Sequence, residues 1–396
     1  MRRPALWFTV ALLILIIPEI LRVYFIMPLP GSQVRNTIGL AYFLHCNINI
    51  FRFIGVMIIS FPLYYYWKKG RTSQKIVSGI FVLLCVFIFY ATNFVIRADK
   101  IFLQPKHKIF LSAVENKVDE HNIVIGVAIN GEAKAVPINI IGYHHKILDS
   151  VGGVPVMFTY CTVCRSGRVF SPIVNGRYEK FRLVGMDHFD AMFEDATTGS
   201  WWRQENGEAV TGSMKGKSLD EIPSQQMTLK QWIIEHPETK ILQPDNDFKD
   251  DYATLEGYDY GLSKNSLEYS ERDPWKRKSW IVGITSNKKD KAYDWNQLKK
   301  QHVINDTIED IPVLLVVEKD TMSFHAFSRK VNDQNLFFEW NDSLQILSDV
   351  TTHSVWNSKG ECVDGAMKGK ILSPFSAYLE YWHSWKQFHP NTTVYR

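Results

Sequence analysis

A chain of 396 residues is long for one domain and points to two or three. Its formal net charge is only +4 and no basic stripe marks the region beyond Arg97, which excludes nucleic acid as a partner. The hydrophobic residues are unevenly spread: nearly all the long apolar runs precede Arg97.

Those runs cover 7–27, broken by Pro18 and Glu19, then 48–67 with Arg52 near one end, then 76–96 without a charge. Each approaches the roughly 20 residues that a helix needs to cross the hydrocarbon core. A cleavable signal peptide is the alternative for the first run, with Arg2 and Arg3 as its basic start, but no small-x-small cleavage pattern follows. Residues 1–98 therefore read as a three-helix transmembrane anchor in the lipid bilayer. Glu19 and Arg22, three apart, are placed to pair on one face of the first helix. Arg2 and Arg3 precede that helix, and Lys68, Lys69, Arg71 and Lys75 crowd the second loop, whereas the first loop carries only Arg35. The positive-inside rule then predicts a multi-pass protein of the cytoplasmic (inner) membrane, N-terminus inside and everything after Arg97 extracytoplasmic.

The outer region contains an internal repeat. Trp202 aligns with Trp356, Gly207-Glu208 with Gly360-Glu361, Met214-Lys-Gly-Lys217 with Met367-Lys-Gly-Lys370, and Trp232 and His236-Pro237 with Trp385 and His389-Pro390. Upstream, Gly126, Ala135, Pro155-Val156 and Phe170 fall on Gly283, Ala292, Pro312-Val313 and Phe327. Asp195 and Thr198 fall on Asp349 and Thr352. The expected organisation is copy one over 105–245, an acidic, Tyr- and Asp-rich linker over 246–269, and a diverged copy two over 270–396. Residues 123–129, 154–160 and 313–317 are β-rich runs, while 138–148, 295–303, 229–236 and 377–388 look helical. The fold class is α+β: a strand-rich duplicated extracytoplasmic domain preceded by three transmembrane α-helices.

Cys161 and Cys164 end one of these strands in a Cys-x-x-Cys followed by a Gly turn, which predicts two neighbouring thiols on an exposed loop. The spacing suits three chemistries. The thiolates could ligate copper or zinc with His ligands beside them. They could cycle between dithiol and disulfide, Arg165 or Arg168 stabilising a thiolate. They could also form a static disulfide in an oxidising compartment. His188 and Asp187 are the leading non-thiol candidates, ahead of His144 and His145, since His145 is matched by His302 in copy two. Met157 and Met186 are candidate soft ligands, though strand methionines usually pack in cores. In copy two Glu318 and Thr321 stand where Cys161 and Cys164 do, so the thiols belong to copy one alone. A hydrolase triad of Ser200, Asp195 and His188 lacks the Gly-x-Ser-x-Gly elbow. The other class of reading is a non-catalytic envelope module, the Cys pair acting as a staple and a Trp-rich surface binding an envelope protein, glycan or small molecule.

Four motifs in order carry a family resemblance: Pro155 to Cys164 with Tyr160, Asp195-x-x-Thr198-x-Ser200 with Trp202 and Gln204, Gly207-Glu208 with Gly212, and Trp232 with His236-Pro237. On these residues copy one resembles the prokaryotic envelope family of domains of unknown function DUF3179. Its Asp195–Gln204 segment is one residue longer than the family's spacing. The resemblance implies importance for Cys161 and Cys164 and supplies no activity.

Overall fold

The computed structural model describes residues 3–260, 275–286, 289–341, 343–344, 346–357 and 359–396. Three long apolar helices are followed by a strand-rich region of several sheets, and the chain divides into two compact units.

The first unit comprises Met1–Leu103 and Glu179–Ser218. Helices α1 (Pro4–Tyr24), α2 (Ile38–Lys69) and α3 (Thr72–Tyr90, prolonged by a π turn over Ala91–Val95) are long and apolar enough to cross a membrane. Large apolar side chains such as Phe53 and Leu83 stand outward along them, as bilayer-facing helices require. The three helices are pinned by a shared polar network. Glu19 accepts hydrogen bonds from Arg22 Nη2 (2.9 Å), Arg52 Nε (2.6 Å) and Thr92 Oγ1 (3.1 Å). Both arginines also donate to Asn93 Oδ1. The expected Glu19–Arg22 pair is thus the centre of a larger cluster, as buried intramembrane charges require compensating partners.

The same unit holds an antiparallel sheet in the order Ala209–Thr211, Trp201–Arg203, Asp190–Asp195, Phe181–Asp187. Alternation along its strands places Val184, Met192, Trp201 and Val210 on one face, and these form a single core with Ile26, Ile38 and Ala41. Gly185 lies so close to the Ile26 carbonyl that no Cβ fits there, and Met186 N donates to that carbonyl at 2.7 Å.

The second unit comprises Gln104–Tyr178 and Leu219–Arg396. Its first sheet runs Phe110–Ser112, Lys240–Leu242, Glu132–Pro137, Ile123–Ile129, Gln225–Thr228, with one parallel pair, Lys240–Leu242 against Glu132–Pro137. A second sheet runs Ala377–Tyr381, Trp280–Ser286, Lys289–Asp294, Thr393–Val394, again with the last pair parallel. A helix packs on each: Trp232 of Leu229–Glu235 fills the space above Gly126, and Trp385 of Trp382–Phe388 that above Gly283. Two three-stranded meanders complete the frame. One is Lys146–Val151, Val154–Cys161 and Ser166–Phe170; the other is Val303–Ile308, Ile311–Val317 and Phe324–Ser328.

Three expected helices differ in extent. The one begun at Ile138 ends at His144, because His145 takes φ +60° and turns the chain into the strand Lys146–Val151. His302, at φ +59°, stops Trp295–Gln301 in the same way. The stretch 377–388 is a strand, Ala377–Tyr381, followed by a helix, Trp382–Phe388. Of the expected linker, residues 261–269 lie outside the described residues, as do 270–274 of copy two. Its described part places Phe248, Tyr252 and Tyr258 in the core beneath the first sheet.

Candidate functional site

The thiol site is built on a hairpin of the second unit. Strands Val154–Cys161 and Ser166–Phe170 pair with Cys161 opposite Ser166, so residues 162–165 form the connecting turn. Arg165 takes φ +56°, the left-handed conformation that lets a short turn close directly after Cys164. The Cys161 and Cys164 sulfurs lie within 4.8 Å of each other. Both residues are fully buried, which corrects the expectation of an exposed loop.

The turn is covered because its carbonyls are taken up by distant segments. Thr162 O accepts from Tyr258 Oη (2.7 Å), Val163 O meets His383 Nε2 (3.0 Å), and Cys164 O accepts from Tyr381 N (2.9 Å). One residue before the turn, Tyr160 O meets His145 Nδ1 at 2.9 Å. Burial holds both imidazoles down at about 4, so at neutral pH each is uncharged and its N–H serves the carbonyl. These bonds satisfy buried main-chain groups and fix the turn.

Two buried guanidinium groups flank the thiols in sequence. Arg165 donates to the carbonyls of Tyr258 (3.2 Å) and Asp259 (2.9 Å), and its guanidinium lies 3.6 Å from the centre of the Trp280 ring. Among the described residues no carboxylate forms an ion pair with it. The adjacent Asp259 carboxyl is pushed up to about 6 by burial, while its Oδ2 accepts from Ile123 N. Arg168 pairs with Glu380 at 3.1 Å in near-complete burial and covers the Tyr378 ring. Around the turn, the described residues of the second unit thus bring two guanidinium groups, the Glu380 carboxylate paired to the second of them, and the Asp259 carboxyl.

The other expected residues fall in two places. Asp187 and His188 belong to the first unit and bond to each other, His188 Nδ1 to Asp187 Oδ1 at 2.6 Å. Arg203, which the sequence did not single out, donates to the other oxygen of Asp187 at 2.7 Å and to Glu208 at 3.2 Å. Burial raises the Asp187 carboxyl, but His188 and Arg203 outweigh it and hold it below its ordinary value. The Asp195 motif is a closed box: its carboxylate accepts from Thr198 N and Oγ1, Ser200 N and Trp202 Nε1. Gly212 approaches Ser200 too closely for a Cβ, Gly207 takes φ +68°, and Gln204 is buried with its main chain bonded to Ala191. These contacts shape turns. Asp349 receives matching donors from Thr352 and Trp356. His144 bonds the Tyr252 hydroxyl, Met157 is a core residue, and Met186 is half-buried in a strand.

Tyr258, Glu380, Tyr381 and His383, which hold the thiol turn, were not read from the sequence. No local motif marks them, since they lie about a hundred residues or more away. The one available signal was the tyrosine-rich character of the stretch before residue 261.

No curated protein and no solved structure matches the chain. A family model described as "Protein of unknown function (DUF3179)" matches residues 106–392, which take in the thiol turn and the Asp195 box. The chain belongs to the DUF3179 family.

Proposed function

We propose that this protein is a membrane-anchored extracytoplasmic module that binds a thiophilic metal ion, copper or zinc, through Cys161 and Cys164. The observation that carries the reading is the pair of fully buried sulfurs within 4.8 Å on one rigid turn. Two thiolates at that spacing suit a soft or borderline cation. Burial also counts against thiol–disulfide exchange with a large partner, because an attacking thiolate needs access to the sulfur. Complete burial favours one other reading, a structural disulfide that staples the turn.

The test uses the full chain in detergent, purified without reductant or chelator, with elemental analysis and a thiol count after denaturation. Close to one equivalent of copper or zinc, lost in Cys161→Ser/Cys164→Ser, is the expected result. Absence of metal together with no titratable thiol at these positions would overturn it in favour of the staple.

The outer region is proposed to be a tandem duplication in which the second copy lost the thiols. Three features support this: four strands of the first sheet, Gln225–Thr228, Ile123–Ile129, Glu132–Pro137 and Lys240–Leu242, match the order and directions of the second sheet, each sheet has a Gly under a Trp, and Asp195 and Asp349 sit in like boxes. The inner-membrane location with the N-terminus inside rests on the Lys and Arg placement.

A further inference from the structure

A second polar site lies in the second unit, apart from the thiol turn. A cleft of about 450 Å³ opens between the helix Leu229–Glu235 and the strand Phe324–Ser328, within the size range of small-molecule sites. Its walls carry Trp232, Phe324, Phe327 and Phe375, and Gln225 and Gln226 bring amides to one side. Lys359 stands exposed among its lining residues, Nζ donating to the main-chain carbonyl of Glu235 at 2.7 Å.

His325 is buried in the lining of the cleft. Its Nε2 lies 3.1 Å from Glu235 Oε1 and 3.4 Å from Glu318 Oε1, and Nδ1 makes no hydrogen bond among the described residues. Glu235 is held in turn by Gln231 at 2.8 Å. Burial pushes the imidazole down, but Glu235, Glu318 and Asp320 outweigh it, so the ring is held above its ordinary value. The charged and titratable groups around it are Glu235 and His236 on one side, Glu318, Lys319 and Asp320 on another, and Lys359. Burial pushes Glu318 up to about 7, so at neutral pH a large share of it is uncharged. The charged groups are then the Glu235–His325 pair and the Lys359 ammonium, which leaves the lining cationic. A protonated imidazole whose Nε2–H is committed to Glu235 offers Nδ1–H as a second donor.

We propose that this cleft binds a small organic anion, a carboxylate on an apolar or aromatic body, the carboxylate meeting His325 Nδ1–H and Lys359 while the body lies against the phenylalanines. His325 and Lys359 both line the cleft, and its apolar walls favour a ligand that is mostly hydrocarbon. The site is independent of the thiol reading.

The experiment uses the full chain in detergent and ligand-observed NMR with phenylacetate and hexanoate, with 2-phenylethanol and hexanol as neutral counterparts. Both carboxylates should bind about tenfold or more tightly than their alcohols, the scale of one charge-assisted hydrogen bond. Lys359→Ala, an exposed change that leaves the fold intact, should weaken the carboxylates alone. His325→Gln should abolish the preference for carboxylate, and binding should weaken as pH rises and the ring loses its proton. Failure of wild type to bind either acid overturns the proposal, as does equal binding of acid and alcohol, or unchanged affinity in Lys359→Ala.

Discussion

Glu380→Ala isolates the ion pair that ties the thiol hairpin to the strand Ala377–Tyr381. Arg168 and Glu380 are each essentially buried and meet at 3.1 Å, so removing the carboxylate strands a guanidinium where water cannot reach it. Breaking one side of such a pair costs about 3–5 kcal/mol. The Tyr378 ring, 3.6 Å from the guanidinium, stays in place and offsets about 1–2 kcal/mol of that at most. A unit of this size loses roughly 2–4 °C of melting temperature per kcal/mol, so the net loss of about 1–4 kcal/mol should lower it by about 2–16 °C by intrinsic Trp fluorescence in detergent. Arg168→Met/Glu380→Leu replaces both charges with apolar groups of similar length and should recover most of the loss. The two single variants and the double variant form a cycle whose coupling measures the pair. A Glu380→Ala protein melting within about 2 °C of wild type, or a double variant no better than the single, would refute the argument.

Asp349 should give the second unit an acid-sensitive step. Burial raises its carboxyl, but donors from Thr352, Trp356 and Ser354 more than reverse this and hold it below its ordinary 3.8. A lowered folded-state pKa contributes stability above pH 3.8 that is lost as pH falls through the folded value. Asp349→Asn should therefore melt lower at neutral pH and lose less on acidification, and parallel melting curves against pH would contradict this. For the orientation, alkaline phosphatase fused after Arg396 should be active and a green fluorescent protein fusion there dark; the reverse pattern would place the C-terminus inside.

The sequence made the helices legible because a bilayer imposes one length and one chemistry on anything that spans it. Glu19 and Arg22 were readable as a pair by their spacing, whereas the contribution of Arg52, Thr92 and Asn93 depended on how three helices rotate against each other. Short strands such as Ile123–Ile129 and Val154–Cys161 were legible as apolar β-rich runs. The helix ends at His145 and His302 were not, since a histidine at positive φ leaves no compositional trace. Cys161 and Cys164 were visible from spacing, but their burial was not, because it comes from carbonyl partners at Tyr258, Tyr381 and His383. Glu318 and His325 carry no local signal of chemistry, because the Glu235 that pairs with His325 comes from another element.

The sheet that carries the Asp195 box shares its core with Ile26, Ile38 and Ala41. A foreign transmembrane tether grafted at Arg97 would keep the chain at the membrane and still strip that core of half its partners. Val184, Met192, Trp201 and Val210 would be bared together, an apolar patch of the kind that drives aggregation. The anchor is thus not an interchangeable stalk. Ile38 and Ala41 of the second helix, and Ile26 after the first, answer to the packing of a β-sheet, and changes at any of them have to be matched across that boundary.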